Sequence, residues 1–257
     1  MTPKSSPSTE VIAFASGKGG TGKTALITSL GYALRASDHR VLLIDADPAT
    51  DGLSLFILGP SGINQIRNYK PENTFAGFFA GHATDNNYTI EPRIIHRLAS
   101  DDHKLSYEAL ISGRGLYGGI PVQSVNETLL QLPSENKPAE FNFRNLDRAT
   151  FQNAIFDLFT QLRERNEYDY ILVDTRGGFS FESTDVCAAA DSFIVVTEAH
   201  YTAFYQDRNL VNRIIDAAVQ IKTKPLLRAF IVNKATQGNE ESFRAALENE
   251  FKSSFAV

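Results

Sequence analysis

The sequence predicts an α/β fold of three layers, in which helices cover both faces of a mostly parallel central sheet. Short apolar runs alternate with longer segments whose apolar residues recur at helical spacing. Continuous apolar runs are typical of parallel strands buried on both faces, and strands that alternate with helices form a parallel sheet. A glycine-rich turn directly follows the first apolar run, and a helical pattern follows the turn.

Five strands carry this prediction, at residues 11–16, 41–45, 170–174, 193–197 and 227–232. Helices are predicted at residues 23–36, 146–165, 210–218 and 240–251. The middle of the chain is less regular. There we expect short helices at 74–79 and 90–100, a strand at 109–112, and irregular structure at 81–87 and 124–140.

Composition limits the class of protein. Its 257 residues and 42% hydrophobic content suffice for one large α/β domain. The Ser- and Pro-rich residues 1–10 are expected to be a disordered lead and lack the apolar core of a secretory signal. No apolar run approaches the ~20 residues of a membrane span, so we expect a cytoplasmic protein without a membrane anchor. The net charge of −5 does not indicate DNA binding, although a local basic patch would permit it.

A phosphate-binding loop is the strongest functional signal. Residues 17–24 fit the pattern G-x-x-x-x-G-K-[ST] completely. Glycines let main-chain N–H groups surround phosphate oxygens, and the helix that begins near Lys23 points its positive end at the same anion. We expect Lys23 to reach the β- and γ-phosphates of ATP and the Thr24 hydroxyl to bind Mg²⁺. The predicted phosphate contacts are Gly17, Lys18, Gly19, Gly20, Thr21, Gly22, Lys23 and Thr24.

Lys18 is a second lysine in this loop, which a plain P-loop does not require. With it, the run KGGTGKT resembles the deviant Walker A motif of the ParA/MinD family, which includes partition ATPases, septum-site ATPases and nitrogenase iron protein. The resemblance implies a homodimer that forms on ATP binding, with each Lys18 reaching the partner's phosphates. It also implies slow ATP hydrolysis, stimulated by a protein partner that the sequence does not identify.

Four carboxylates lie at or just after the ends of predicted strands, at the sheet edge that faces the ligand crevice. By resemblance, residues 45–51 are switch I, where Asp47 orients or deprotonates the attacking water and Asp45 holds Mg²⁺ through water. The alternative for Asp47 is a turn or helix-capping role. Asp51 would couple this switch to the phosphates. Asp174 ends an apolar strand similar to Walker B and would also hold Mg²⁺.

The residues after Asp174 resemble switch II, where the Gly177 amide would sense the γ-phosphate. Many family members have Asp-x-Pro-Pro-Gly here, whereas this chain has Asp174 followed by Thr-Arg-Gly-Gly. The role of Arg176 therefore stays open between a phosphate or partner contact and a surface ion pair. Asn233 ends the fifth strand, and by resemblance it hydrogen-bonds adenine. A turn asparagine is the alternative.

The resemblance covers residues 11–51 and 169–234. We expect residues 11–257 to be a single P-loop ATPase domain with a divergent insertion near 63–140. The chain ends soon after the adenine strand, which predicts either a truncated C-terminus or a differently built base pocket.

Two classes of function remain open. The first is an ATP-hydrolysing dimeric switch for partition or positioning of DNA or another cargo. The second is a nucleotide-gated adaptor subunit with little turnover of its own. A ligase or synthase on the same fold would need a second substrate pocket, which the sequence does not reveal.

Overall fold

The computed structural model describes residues 9–47, 50, 52–58, 74–82, 93–97, 106–110 and 147–234, together with residues 241, 242, 244, 245 and 248. Its strands are β1 Glu10–Ala15, β2 Val41–Ala46, β3 Arg93–Arg97, β4 Ser106–Leu110, β5 Tyr170–Thr175, β6 Ser192–Glu198 and β7 Leu226–Asn233. Its helices are α1 Lys23–Ala36, α2 Gly52–Leu58, α3 Phe75–His82, α4 Arg148–Arg165, α5 Phe181–Ala189 and α6 Tyr201–Ile221.

These strands form one sheet in the order β3-β4-β2-β5-β1-β6-β7. Every neighbouring pair is parallel except β3 and β4, which are antiparallel. Strand β1 lies between β5 and β6, so the loop that follows β1 emerges near the middle of the sheet edge. Asp45 of β2 and Asp174 of β5 are direct partners in the ladder. The sheet thereby brings two of the predicted metal-site carboxylates together.

Both faces of the sheet are covered, as expected for a three-layer fold. Val11, Ala13 and Ala15 of β1 belong to one apolar core, packed with residues of α3, α4, α5 and α6. Ile12 and Phe14 alternate with them and belong to a second core with residues of α1 and α2. The continuous apolar runs of the strands follow from this, because successive side chains point to opposite faces and both faces are buried.

The structure confirms all five predicted strands to within a residue or two of their ends. Helix α1 agrees with its prediction at both ends, while α6 extends further than the predicted 210–218. The predicted short helix at 74–79 is present as α3, which includes Gly81 and His82 of the expected irregular stretch. The predicted strand at 109–112 is present as β4, although it begins earlier. Residues 1–8 and 124–140 lie outside the described residues.

The helix predicted at residues 90–100 is wrong. Residues Arg93–Arg97 form strand β3, which pairs with the edge strand β4. Ile94 and Ile95 are β-branched and favour a strand, and tertiary pairing decides such short apolar runs. Within the predicted helix at 240–251, residues 241, 242, 244, 245 and 248 are helical and the others lie outside the described residues.

Helix α5 was not predicted because polar residues fill most of its first half. Ser183, Thr184 and Asp185 are nevertheless buried within it. Ser180 caps its first turn by accepting a hydrogen bond from the Ser183 amide, and Arg148 forms a bidentate pair with Asp185. Helix α2, which follows switch I, was also not predicted. Among the described residues, none of the helices combines the length and apolar character that crossing a membrane requires.

Candidate nucleotide site

The glycine-rich loop lies between β1 and α1, as its motif predicts. Gly20 and Gly22 adopt φ angles of 77° and 92°, in the left-handed region that glycine enters without strain. A Cβ atom on Gly22 would also clash with the side-chain amide of Asn233. The tight turn aims the start of α1 at the crevice, which is the geometry of an anion-binding helix N-terminus.

Three further contacts hold the loop against its neighbours. A Cβ atom on Gly177 would lie 2.6 Å from the Lys18 carbonyl oxygen, so the predicted switch II rests directly on the P-loop. The Gly178 amide donates to the Ser16 carbonyl over 2.9 Å. On the other side, the Gly17 amide donates to Asp207 Oδ1 of α6 over 2.6 Å. The loop is therefore held between switch II and α6.

Lys23 is buried at the base of the loop, with 7% of its surface exposed. Its Nζ donates to Ser16 Oγ over 2.9 Å, and that hydroxyl donates to the Lys18 carbonyl over 2.6 Å. Burial lowers the pKa of the Lys23 ammonium, and the nearby carboxylates of Asp174 and Asp47 oppose that shift. A buried ammonium in this position is suited to an anionic ligand that restores its lost solvation.

Thr24 and Asp174 form the centre of the predicted metal site. Thr24 Oγ1 donates to Asp174 Oδ2 over 2.6 Å. The other oxygen, Asp174 Oδ1, is buried and has no hydrogen-bond partner among the described residues. Burial raises the pKa of Asp174 to about 6, although the hydrogen bond from Thr24 opposes the shift. A hydroxyl beside a buried carboxylate oxygen with no partner fits Mg²⁺, which takes one or two carboxylates and completes its shell with waters and substrate phosphates.

Asp45 neighbours this pair and also organises the protein. Its Oδ2 accepts from both the amide and the hydroxyl of Ser54, over 2.8 and 2.7 Å. Its Oδ1 accepts from the Asp47 amide over 3.1 Å. Asp45 therefore holds the start of switch I and the first turn of α2. Its predicted water-mediated contact with Mg²⁺ stays a prediction.

Asp47 is buried beside the crevice, with 7% of its surface exposed. Its Oδ2 accepts from the Thr50 hydroxyl over 2.7 Å. This contact fits both the predicted work on water and the alternative turn role, so the role of Asp47 stays a prediction. Asp51 lies outside the described residues. No group of three or more His, Cys, Asp or Glu residues suited to a metal occurs in the described part of the chain.

Lys18 lies at the exposed rim of the site, away from Lys23. Its Nζ is 2.5 Å from Glu198 Oε2 at the end of β6 and 3.2 Å from His200 Nε2. Glu198 also accepts from Lys234 Nζ over 2.9 Å and lies 3.2 Å from the His200 ring. We call Lys18, Glu198, His200 and Lys234 the Glu198 cluster. Sequence reasoning missed Glu198, although the strand-end rule that identified Asp45 and Asp174 applies to it equally.

The end of β7 also contacts the P-loop. The Asn233 side-chain amide donates to the Thr21 carbonyl over 2.8 Å, and Lys234 Nζ donates to the Gly20 carbonyl over 2.7 Å. The structure thus places Asn233 against the loop, and its predicted bond to adenine stays a prediction. Arg176 is exposed, and its carbonyl accepts from the Ser183 hydroxyl over 2.9 Å.

The sheet order, the P-loop and the neighbouring carboxylates agree with one family model. A model described as AAA domain, AAA_31, matches residues 9–227. The chain belongs to this family. Structural matches to ParA, MinD and McdA confirm the predicted fold, and together with the family model they support the predicted resemblance to P-loop ATPases of the ParA/MinD type.

Individual relatives of this ParA/MinD-type ATPase are distant. The putative replication protein A of Sinorhizobium fredii is 22% identical over 186 residues, which cover 72% of this chain and 39% of the relative. The chain thus matches well under half the length of that relative. The structure of pNOB8 ParA bound to nonspecific DNA matches with a TM-score of 0.63 at 18% identity, covering 96% of this chain and 76% of that one. MinD of Pyrococcus horikoshii, complexed with Mg-ADP, matches with a TM-score of 0.57 at 19% identity, covering 93% and 78%.

Proposed function

We propose that the chain is a dimeric switch that binds Mg·ATP and hydrolyses it slowly, with stimulation by a protein partner. The observation that carries the proposal is that the two P-loop lysines differ in position and burial. Lys23 is buried inside the site, whereas Lys18 lies on its rim with 36% of its side chain exposed. Lys18 is thus available to a second protomer, as the resemblance to ParA and MinD implies.

In this proposal the loop amides of residues 17–24 and Lys23 bind the phosphates. Thr24, Asp174 and Asp45 hold Mg²⁺, which neutralises charge on the phosphate oxygens when it is bound. Asp47 orients the attacking water, and the Gly177 amide reports whether the γ-phosphate is present. Catalysis here is mainly positioning and electrostatic stabilisation, so these fixed groups can supply it.

The proposed cargo is DNA or another cellular component that the switch positions or partitions. ParA on nonspecific DNA and the putative replication protein A among the relatives support this direction. The net charge of −5 predicts that any DNA contact is confined to a local basic patch. DNA retention measured with ATP, with ADP and without nucleotide tests this part, and retention that ignores the nucleotide contradicts it.

Mg·ATP-dependent dimerisation tests the core of the proposal. Sedimentation of the wild type should show monomers without nucleotide and dimers with ATP. Lys18→Ala should bind Mg·ATP with an affinity close to that of the wild type yet dimerise only at a much higher protein concentration. Lys222→Ala, a substitution at an exposed lysine remote from the loop, is the matched control and should dimerise normally. A Lys18→Ala protein that dimerises as the wild type does would show that the crossover is wrong.

A nucleotide-gated adaptor is the second candidate. A cleft of about 310 Å³ favours it, because Phe179, which directly follows the predicted switch II, lines this cleft together with Asn209, Asn212 and Arg213 of α6. The Arg213 guanidinium lies 5.2 Å from the centre of the Phe179 ring. A protein bound in this cleft would touch the loop that senses nucleotide. Turnover assays with and without DNA separate the candidates, since an adaptor should show little turnover and no response to DNA.

A further inference from the structure

Glu198 pairs with two lysines at the rim of the proposed nucleotide site. Its carboxylate receives Lys18 and Lys234, and the His200 ring lies beside it. Only 15% of the Glu198 side chain is exposed. The hydrogen bonds from Lys18 and Lys234 hold the pKa of Glu198 at about 2, so this carboxylate stays ionised at physiological pH.

The His200 ring does not offer a hydrogen-bond acceptor to the Lys18 ammonium. His200 caps α6, and its Nδ1 accepts a hydrogen bond from the Ala203 amide over 3.1 Å. In the neutral ring the proton is then on Nε2, which donates to Glu198. Because Nε2 is a donor, it cannot also accept from the Lys18 ammonium. The carboxylate, and not the ring, therefore holds Lys18.

We propose that Glu198 is a positioning residue that keeps Lys18 on its own protomer until two ATP-bound chains meet and the partner's phosphates take Lys18 over. This inference rests on the proposed function, since it concerns the lysine that is proposed to cross the dimer interface. Glu198 thereby opposes dimerisation in the absence of a triphosphate and sets the ATP-dependent threshold for pairing.

Lys18 can move from Glu198 to the partner's phosphates at a low cost in free energy, because Lys234 stays bound to Glu198. Lys234 Nζ bonds both Glu198 Oε1 and the Gly20 carbonyl, so Glu198 keeps one cation after Lys18 leaves. Exposed ion pairs are weak, and 36% of the Lys18 side chain is exposed, so its pair with Glu198 can be exchanged readily. A triphosphate carries several negative charges and can displace a single carboxylate. A diphosphate lacks the terminal group and competes less well.

The first experiment measures the hold on Lys18 without nucleotide and without a dimer. Nucleotide-free protein is acetylated with an N-hydroxysuccinimide ester, and modification of individual lysines is followed by mass spectrometry. An ammonium held by a carboxylate must leave it before the amine can attack the reagent. Glu198→Gln should therefore raise the labelling rate of Lys18 about threefold to fivefold. Lys222 is the internal reference, and its rate should not change.

The second experiment measures dimerisation in Mg·ATP. Glu198→Gln should dimerise at about threefold to fivefold lower protein concentration than the wild type, with unchanged Mg·ATP affinity of the monomer. A double-mutant cycle supplies the specificity. If Glu198 acts through Lys18, the substitution should have no such effect when Lys18→Ala is already present. A merely structural role for Glu198 would persist in that background.

Each outcome decides the matter. Unchanged Lys18 labelling in Glu198→Gln overturns the proposal, and so does a dimer that becomes weaker, because Glu198 would then act within the dimer itself. Faster labelling with tighter, Lys18-dependent dimerisation supports it. If labelling rises while the wild type remains monomeric in Mg·ATP, the dimer of the proposed function is wrong and the exchange with it, while the hold of Glu198 on Lys18 stands.

Discussion

The inside and the rim of the nucleotide site handle charge in opposite ways. Inside, Lys23, Asp45 and Asp174 are at most 7% exposed, and their positions are fixed by short hydrogen bonds. At the rim, the side chains of Lys18 and Lys234 are 36% and 57% exposed. Both regions bring cations to carboxylates at strand ends, but only the inner one removes them from water.

This difference separates binding from switching. Buried charges lose hydration and gain strong mutual fields, so the inner site is costly without a ligand and selective with one. Exposed pairs are weak and exchange partners easily. The inner region is thus suited to holding Mg·ATP, and the rim to contacts that change between states. Four substitutions test this contrast, in order of decreasing effect.

The largest effect is expected at Lys23. Lys23→Met keeps an unbranched side chain but removes the ammonium that is proposed to bind the phosphates. Mg·ATP affinity measured by calorimetry should fall at least about 30-fold, because a desolvated charged partner is worth about 2–5 kcal/mol. Loss of the charge should not lower the melting temperature of the nucleotide-free protein. Burial lowers the pKa of Lys23 and so disfavours its ammonium form. Affinity within a factor of three of the wild type would contradict the assigned role.

Asp174→Asn should change the pH dependence of stability. Burial raises the folded-state pKa of Asp174 to about 6, above its unfolded value of 3.8, so the folded protein binds this proton more tightly. Stability attributable to Asp174 is therefore fully present below pH 4 and is lost as the pH rises to 6. Without nucleotide, Asp174→Asn should exceed the wild type by up to about 3 kcal/mol at pH 7.5 and match it near pH 4.

The same variant separates stability from function at this position. Its ATPase activity should lose most of its response to Mg²⁺, because a neutral amide is a poorer partner for the cation or its waters. Denaturant unfolding at both pH values and a magnesium titration of turnover are the measurements. An Asp174→Asn protein that is less stable than the wild type at pH 7.5 would show that burial of the ionised carboxylate does not destabilise the folded protein.

Gly177→Ala tests the contact between switch II and the P-loop. The new Cβ atom would lie 2.6 Å from the Lys18 carbonyl oxygen, and the backbone must move to admit it. Such overpacking costs about 1–3 kcal/mol, which denaturant unfolding of the nucleotide-free protein can measure. Gly19→Ala is the matched control, because a Cβ atom there meets nothing within 4 Å. Its free energy of unfolding should change by less than about 0.5 kcal/mol. Equal costs at both glycines would contradict the packing argument.

The smallest effect is expected at Lys234. Lys234→Ala removes bonds to Glu198 and to the Gly20 carbonyl, both at the rim. Mg·ATP affinity should fall by less than about threefold, and the difference should shrink when salt is raised, because the affected charges are exposed. Calorimetry at two ionic strengths measures it. A loss comparable with that at Lys23 would remove the distinction between rim and interior.

The elements that were predicted correctly carry strong local signals. The strands around the site are continuous apolar runs, and the P-loop pattern specifies its own turn and helix. Strand β3 was mistaken for a helix because a short apolar run does not fix its own period, and its pairing with β4 decided the outcome. Helix α5 escaped notice because Ser183 and Asp185 are buried through tertiary partners, namely the Arg176 carbonyl and Arg148.

The candidate site divides in the same way. Lys23, Thr24 and Asp174 follow from motif and strand-end position. Asp207 does not, and Glu198 was missed although it ends a strand, because the importance of both depends on groups that are distant in sequence. Glu198 gathers cations from residues 18 and 234, and Asp207 accepts from the Gly17 amide only once α6 packs over the loop. Such contacts are products of the whole fold.

Cys187 offers a practical consequence for measuring motion in this molecule. It is the single cysteine of the sequence and is completely buried in α5, and burial raises the pKa of its thiol to about 12. Since the thiolate is the reactive form, maleimide reagents should not react with Cys187 at neutral pH. A cysteine introduced at an exposed position would then be the sole thiol to accept a spin label or fluorophore. Distances between labelled chains could be followed through the ATP cycle without altering the native residue.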